Sequence, residues 1–569
     1  MAEQYDRRSF IARGMKTAVG AAALGGGGSA LLGACSSSSG PSSSGSGKSA
    51  IPASPSVGIS SLPPKRGGKL VVGTYSEVSG MAPAAATSEF DSTTFTYAQA
   101  IFDPLAVLGM DGTIKPYLAE SISPNESYDV WSIKLRPGLT FHDGTPCDSS
   151  ALVANFTALK NSLLTGQALK PIRDFTVIDP LTVAVAMTQP WVAFPAYLTG
   201  QGGFVMSPKY IGPNGEISDQ ASVNPVGTGP FVFQNWQKNI SFNATRNPHY
   251  WRNGLPYLDA IEFRPLPDDQ SREATLRSGG INIMHSQDPA SYVDLAGDPS
   301  FQVYNDAHGI VGEPSIDNLI MNCQTGPTSD LRVRQALAYA SNRNAIRADF
   351  FDNIPQLANG LFMPGEPWYE PVDYPQYNPA KARELIASYQ QEHPGPIEIN
   401  LSGPSVTRYV QLMDAFRSLW EAVGFKVTIT SKLQSSYTLD LVTGNFGVGL
   451  FQYFSGADPD ENYIFLISTN VGRPGAISLN LARNSDPTLD TYLNTGRTNP
   501  DPQARIEAYK KMNARLVADL AYLTGWQTLW VEAADTRTMN FRGLTAPDGS
   551  RAYGFNAGQM WFTTTWLNT

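Results

Sequence analysis

Ile397-Glu-Ile-Asn-Leu401, Thr407-Arg-Tyr-Val-Gln-Leu-Met-Asp-Ala-Phe-Arg-Ser-Leu-Trp-Glu-Ala-Val423 and Phe425-Lys-Val-Thr-Ile-Thr430 follow one another with little between them. The first and last segments read as strands. The middle one reads as a helix stopped by Gly424 at the position just past its end, where a residue without Cβ is favoured. Strand, helix, strand at this spacing is a βαβ unit, so the two strands are expected to lie parallel with a right-handed crossover. Val448-Gly-Leu-Phe-Gln-Tyr-Phe454 is a third apolar run that can join the same sheet.

In open α/β sheets ligands bind beyond the carboxyl ends of the strands. Two such exits can be marked. One is Tyr75-Ser76-Glu77, after the β-branched run Lys69-Leu-Val-Val-Gly-Thr74; the other is Phe454-Ser455-Gly456-Ala457-Asp458-Pro459-Asp460. Around them the punctuation is regular. Trp131-Ser-Ile-Lys-Leu-Arg136 alternates apolar and polar as a half-buried strand does. Phe231 to Trp236 and Ile240 to Thr245 pair as a hairpin. Asp330 caps a helix with Val333, Ala336, Leu337 and Ala340 on one stripe, and Asn378-Pro379 opens another with an N-cap followed by Pro.

With 569 residues the chain exceeds a single core, which stops growing at roughly 250–300 residues, so two or three lobes are expected. Residues 1–34 are expected to be a signal peptide. Arg7, Arg8, Arg13 and Lys16 precede an uncharged stretch from Thr17 to Ala34 that is too weakly apolar for a permanent span. Arg7-Arg-Ser-Phe-Ile11 resembles a twin-arginine signal, although Asp6 and Ala12 depart from its flanks and leave the general secretory route open. Leu32-Gly-Ala-Cys35 resembles the lipobox of bacterial lipoproteins, which implies cleavage before Cys35 and a lipid on its thiol. Residues 35–66, rich in Ser and Gly, then form a tether with a random-coil reach of about 30 Å. Cleavage leaves a chain more acidic than the −9 of the whole sequence, which argues against nucleic acid as a partner. Cys147 and Cys323 sit in a compartment that permits a disulfide; a bridge and two buried thiols are both open.

Five blocks carry a resemblance. They are Pro116 to Ser121 with Trp131 to Pro146; Val226-Gly-Thr-Gly-Pro-Phe231 with Arg246-Asn-Pro-His-Tyr-Trp251; Asp330 to Leu337 with Asn342-Arg343; Tyr377 to Arg383; and Ala457-Asp-Pro-Asp460. In this order and spacing they resemble the extracellular family 5 solute-binding proteins, which bind dipeptides, oligopeptides and nickel. The resemblance implies an α/β, periplasmic-binding-protein-like fold of class II (cluster C): two main lobes joined by a hinge, plus an inserted third lobe. It places lobe I at 67–99, 206–305 and 534–569, the inserted lobe at 100–205, and lobe III at 306–533. It further implies a monomer that closes on a di- or oligopeptide and delivers it to an ABC permease and ATPase complex, lipid-anchored on the outer face of the cell membrane and without a cofactor.

The candidate ligand residues are Tyr75 and Glu77 from lobe I; Gln452, Tyr453, Ser455 and Asp458 from lobe III; and Trp526 and Gln527 near the second hinge crossing. Members that read a peptide's amine often carry Asp where Ser455 stands, so Glu77, Asp458 or Asp460 has to substitute, or the ligand is an oligosaccharide or metal chelate. A secreted hydrolase is disfavoured, because no GxSxG or comparable motif is present. His142-Asp143-Gly144 reads as a turn, and no clustered Cys/His set points to a metal.

Overall fold

The computed structural model describes residues 58–85, 90–163, 165–305, 315–453, 456–528, 530–556 and 558–569. The signal sequence, Cys35 and Ser455 lie outside them. The chain enters through β1 (Lys69–Thr74), whose Leu70 and Val72 are wholly buried. Helix α1 (Ser92–Ile101) follows, its first turn capped by the Asp91 carboxylate, which accepts from Thr94 N at 2.7 Å. Tyr97 of this helix stacks on Phe263 at 4.2 Å, and together they seal a core that also takes in Phe541 and Phe562 from the C-terminal tail.

Between Ala119 and Met187 the chain builds a separate antiparallel sheet from β2 (Ala119–Pro124), β3 (Val130–Leu135), β4 (Ile172–Asp179) and β5 (Thr182–Met187), in the order β2-β3-β5-β4. Helix α2 (Ser149–Asn161) lies on it, capped by Asp148. The alternation of β3 puts Trp131, Ile133 and Leu135 inward against Leu152 and Phe156 of the helix. Each such side chain contributes about 1.5–3 kcal/mol by leaving water.

The chain then returns to β1. Strands β6 (Phe231–Gln237) and β7 (Ser241–Arg246) form the expected hairpin. With β8 (Ala260–Pro265), β9 (Ile283–Ser286) and β10 (Phe301–Asn305) they complete a seven-stranded sheet once one late strand is added. A second sheet of five strands takes β11 (Ile316–Met321), β12 (Ile397–Pro404), β13 (Phe425–Lys432), β14 (Val448–Gln452) and β15 (Tyr522–Gln527), in the order β13-β12-β14-β11-β15. Here β12 runs parallel to β13 over eight residues and parallel to β14, as the βαβ reading requires.

Helices α3 (Leu331–Ala340), α4 (Pro379–Glu392) and α5 (Thr407–Glu421) cover one face of this sheet, while α6 (Pro487–Thr498) and α7 (Pro502–Asp519) belong to the core on the other. Asp330 and Asn378 cap α3 and α4. Helix α5 ends at Glu421, and Gly424 follows at φ +116°.

The late strand is β16 (Val531–Asp535), which pairs antiparallel with β9 and β10 in the seven-stranded sheet. The expected lobe III boundary at 533 therefore falls inside a strand of the other sheet, and the chain returns to that sheet between Gln527 and Val531. The chain thus passes between the two sheets twice, once between β10 and β11 and once between β15 and β16. The order of the seven-stranded sheet is β10-β16-β9-β1-β8-β7-β6.

Both cysteines are free thiols, which removes the disulfide alternative. Cys147 is buried in the core of the four-stranded sheet, and Cys323 packs against the five-stranded one, where burial pushes its thiol up to about 11. His142 to Gly144 form a turn: the His142 ring meets Gly229 O at 3.0 Å, and Gly144 takes φ +82°. No helix among the described residues is long and apolar enough to cross a membrane.

Candidate ligand-binding cleft

The carboxyl end of β1 brings Tyr75 beside two further aromatic rings. His285 stacks on Trp530 at 4.9 Å, and Tyr75 meets the His285 ring edge-on at 5.1 Å. Burial, then the Asp91 carboxylate, push the Tyr75 hydroxyl far above its ordinary range; Tyr409, from α5, adds to the effect. Burial and then Arg272 push His285 down to about 3, so its ring is neutral. Glu77 is committed elsewhere. One oxygen accepts from Val78 N at 2.8 Å and the other from Asn239 N at the tip of the β6–β7 hairpin.

The five-stranded sheet contributes a polar network. Asp317 on β11 accepts from Trp526 Nε1 and from Thr528 Oγ1, both at 2.9 Å, and Gln452 Nε2 donates to the same Thr528 hydroxyl at 3.1 Å. Burial raises the Asp317 carboxyl, opposed by Thr528, Arg408 and Trp526. Trp526 also packs on Phe351 at 4.5 Å. Gln527 is buried, and its backbone N–H donates to Gln356 O at 2.9 Å. Tyr453, one residue beyond Gln452, points to the opposite face and packs against Tyr522 at 4.8 Å in the core.

The two sheets touch where α5 begins. Arg408 donates to Gln287 O at 3.0 Å and to Gln287 Oε1 at 3.3 Å, and the Tyr409 hydroxyl donates to the same Oε1 at 3.5 Å. Burial works against the Arg408 charge, but Tyr409, Asp269 and Asp317 outweigh it and raise its pKa. A guanidinium has five N–H donors, and among the described residues the bonds to Gln287 use only part of the fork.

The exit of β14 leads into a 3-10 turn, Pro459–Asn462, whose Asp460 and Glu461, with the capping Asp458, put three carboxylates within four residues. Asp458 is held by Arg505, whose Nη2 reaches both of its oxygens at 2.7 Å. Asp460 accepts from Arg497 Nε at 2.9 Å and Nη2 at 3.1 Å. Glu461 has no ion pair among the described residues. Its carboxylate lies over Gly456, where a Cβ would fall 0.9 Å from Oε2. Burial, then Asp458 and Asp460, push its carboxyl well above the ordinary range.

Of the residues named from sequence, Tyr75 meets the His285 ring, Gln452 and Trp526 join the network of Asp317 and Thr528, Gln527 is buried, Glu77 and Asp458 are taken up by internal partners, and Tyr453 lies in the core. Asp317, Thr528, Arg408 and Glu461 were not named, although Arg408 sits just past the end of β12, where the strand-exit rule points.

A sequence model described as bacterial extracellular solute-binding proteins, family 5 Middle, matches residues 113–474. The chain belongs to this family. Its members serve as the solute-binding components of ABC importers, outside the cytoplasm. The glutathione-binding protein GsiB of Salmonella paratyphi A is 26% identical over 433 residues, 74% of this chain and 82% of the relative. Among solved structures, the periplasmic binding protein DppA of Helicobacter pylori, in complex with the peptide STSA, aligns with a TM-score of 0.77 at 20% identity, covering 89% of this chain and 99% of that one. The oligopeptide-binding protein AppA of Bacillus subtilis, with a nonapeptide, gives 0.76 at 19% identity, covering 89% and 100%.

Proposed function

We propose that this protein captures a short peptide, in the size range from glutathione to a small oligopeptide, and releases it unchanged to an ABC permease. The observation that carries this reading is a guanidinium and a carboxyl without ion-pair partners at neighbouring strand exits. Arg408 beyond β12 and Glu461 beyond β14 have no ion pair among the described residues, whereas Asp458 and Asp460 do. Both side chains are half-buried and the Glu461 carboxyl ionises fully only beside a cation, so a ligand that covers them is favoured where it brings an anion to one and a cation to the other. A peptide does so with its carboxylate for Arg408 and its amine for Glu461. Tyr75, His285 and Trp530 supply apolar wall for its side chains.

Capture proceeds by hinge closure. Residues 67–99, 206–305 and the C-terminal tail act as one lobe, and the segment from 315 to 527 as the other. The mature protein works as a monomer, held at the membrane by a lipid on Cys35. Cys35→Ser would release it into the medium; retention in the membrane fraction would refute the anchor.

Titration calorimetry with reduced glutathione and tripeptides tests the ligand. Glu461→Gln and Arg408→Met should each weaken binding by about 30-fold or more, the size of losing one partner of a desolvated charge pair. Peptides acetylated at the amine and amidated at the carboxyl should bind poorly; equal affinity for blocked and free peptides would refute the assignment. One residue favours a different solute: Ser455 is uncharged where peptide-amine readers often carry Asp. Native mass spectrometry of co-purified ligand separates a peptide from an oligosaccharide or metal chelate.

A further inference from the structure

The four-stranded sheet contributes none of the residues assigned to the ligand above. Here its core makes a polar contact with the turn that follows β14. Trp191 Nε1 donates to Asp460 Oδ2 at 2.7 Å, the Tyr197 hydroxyl donates to Asp460 O at 2.8 Å, and Val192 N donates to Arg497 O at 2.9 Å. The Arg497 guanidinium lies 5.0 Å from the centre of the Trp191 ring and 3.4 Å from that of Tyr463. Trp191 and Asp460 are fully buried, and Arg497 is 2% exposed.

Trp191 is fixed from its own side. Its N–H donates to Tyr128 O at 2.9 Å, and its carbonyl accepts from Trp131 Nε1 at 3.1 Å. Asp460 and Arg497 are fixed to each other on the far side, within the unit built on the five-stranded sheet. The indole N–H therefore reaches a carboxylate across a boundary between two separately built cores. Charge-assisted bonds of this kind are among the stronger ones, and they strengthen further where water is excluded.

We propose that Trp191, Tyr197, Asp460 and Arg497 form a clasp that holds the closed form and so sets ligand affinity from outside the ligand site. Separating the lobes breaks these three hydrogen bonds and a longer one from Arg497 Nη2 to the Tyr197 hydroxyl at 3.4 Å, and wets a buried ion pair, while closing restores them whether or not a solute is present. A ligand that requires the closed form then binds with an affinity reduced by the fraction of molecules that are open. The clasp rests on the hinge closure proposed above but not on the identity of the ligand.

The test is hydrogen exchange on the full chain without ligand, read at the Val192 amide, which is protected by Arg497 only while the clasp is shut. Ile133, inside β3, reports unfolding of the four-stranded sheet. Trp191→Phe removes the indole donor and should speed Val192 exchange about tenfold; Tyr197→Phe should do so about fivefold, as expected for losing a charged and a neutral hydrogen bond. Ile133 should be unchanged. If Trp191→Phe also loosens Ile133, the milder Tyr197→Phe decides. The proposal is overturned if Val192 exchanges no faster in Tyr197→Phe, or if Val192 and Ile133 share one rate in the wild-type protein. Either result would make the contact a fixed joint. If glutathione fails to bind while Val192 responds as expected, the ligand assignment fails and the clasp stands.

Discussion

Asp458→Asn should cost stability before it costs binding. In the structure this carboxylate is tied by both oxygens to Arg505 at 2.7 Å and also accepts from Asp460 N at 3.0 Å. Both side chains are nearly buried, at 13% and 11% exposed. Burial works against the Arg505 charge, and Asp458 outweighs it. Removing the anion leaves a guanidinium among Trp368, Tyr509 and little water. Breaking one side of such a pair costs about 3–5 kcal/mol, and Asn keeps one acceptor, so about 3 kcal/mol is expected. For a unit the size of that built on the five-stranded sheet, this is a fall of roughly 6–12 °C in melting temperature. Calorimetric melting and glutathione titration on the same samples provide the assay, with Asp458→Asn/Arg505→Met recovering part of the loss. A variant that melts with the wild type yet no longer binds would show that Asp458 meets the ligand, and the structural reading would be refuted.

Stability should fall as pH rises from about 4 to 7. Burial pushes Asp103 up to about 7 despite bonds from Trp251 Nε1 at 2.6 Å and Tyr250 Oη at 3.1 Å, and burial takes Glu366 to about 7 as well. A carboxyl raised in the folded state gives stability that is full below its unfolded pKa and lost as pH climbs through the folded one. Melting temperatures across that window check the slope, which Asp103→Asn should flatten. Gly456→Ala should weaken glutathione binding by about tenfold with little change in melting, because the new methyl falls where the Glu461 carboxylate lies. Reductant should leave the melting temperature unchanged, since Cys147 and Cys323 are both thiols.

Much of the fold was legible because its signals are local. The βαβ unit, the caps at Asp330 and Asn378 and the hairpin at Phe231–Arg246 depend on side chains within a few positions of one another. The site was less so. Asp458 and Asp460 find their arginines 47 and 37 residues downstream, on α7 and α6, and no local pattern reports a partner brought in by packing. One conflict between two named residues was visible in advance. Adjacent residues of a strand face opposite sides, so Gln452 and Tyr453 cannot both look into the cleft. The same logic, applied to the end of β12 rather than to β1 and β14 alone, leads to Arg408.

The three carboxylates of the Asp458–Glu461 turn are distinguished by what faces them. Asp458 meets an arginine of its own unit, Asp460 meets an arginine and the indole of Trp191, and Glu461 meets no cation among the described residues. Because they share one tight turn, they cannot move independently. A ligand amine drawn to Glu461 favours the turn geometry that presents Asp460 to Trp191, and a shut clasp favours the geometry that presents Glu461 to the ligand. The two effects should therefore be coupled. Tyr197→Phe and Glu461→Gln, each measured alone and then together by glutathione titration, should lose less combined than the sum of their separate losses, by at least about 0.5 kcal/mol. Strict additivity would mean that the clasp and the ligand site act through separate parts of the protein, and that the turn between them transmits nothing.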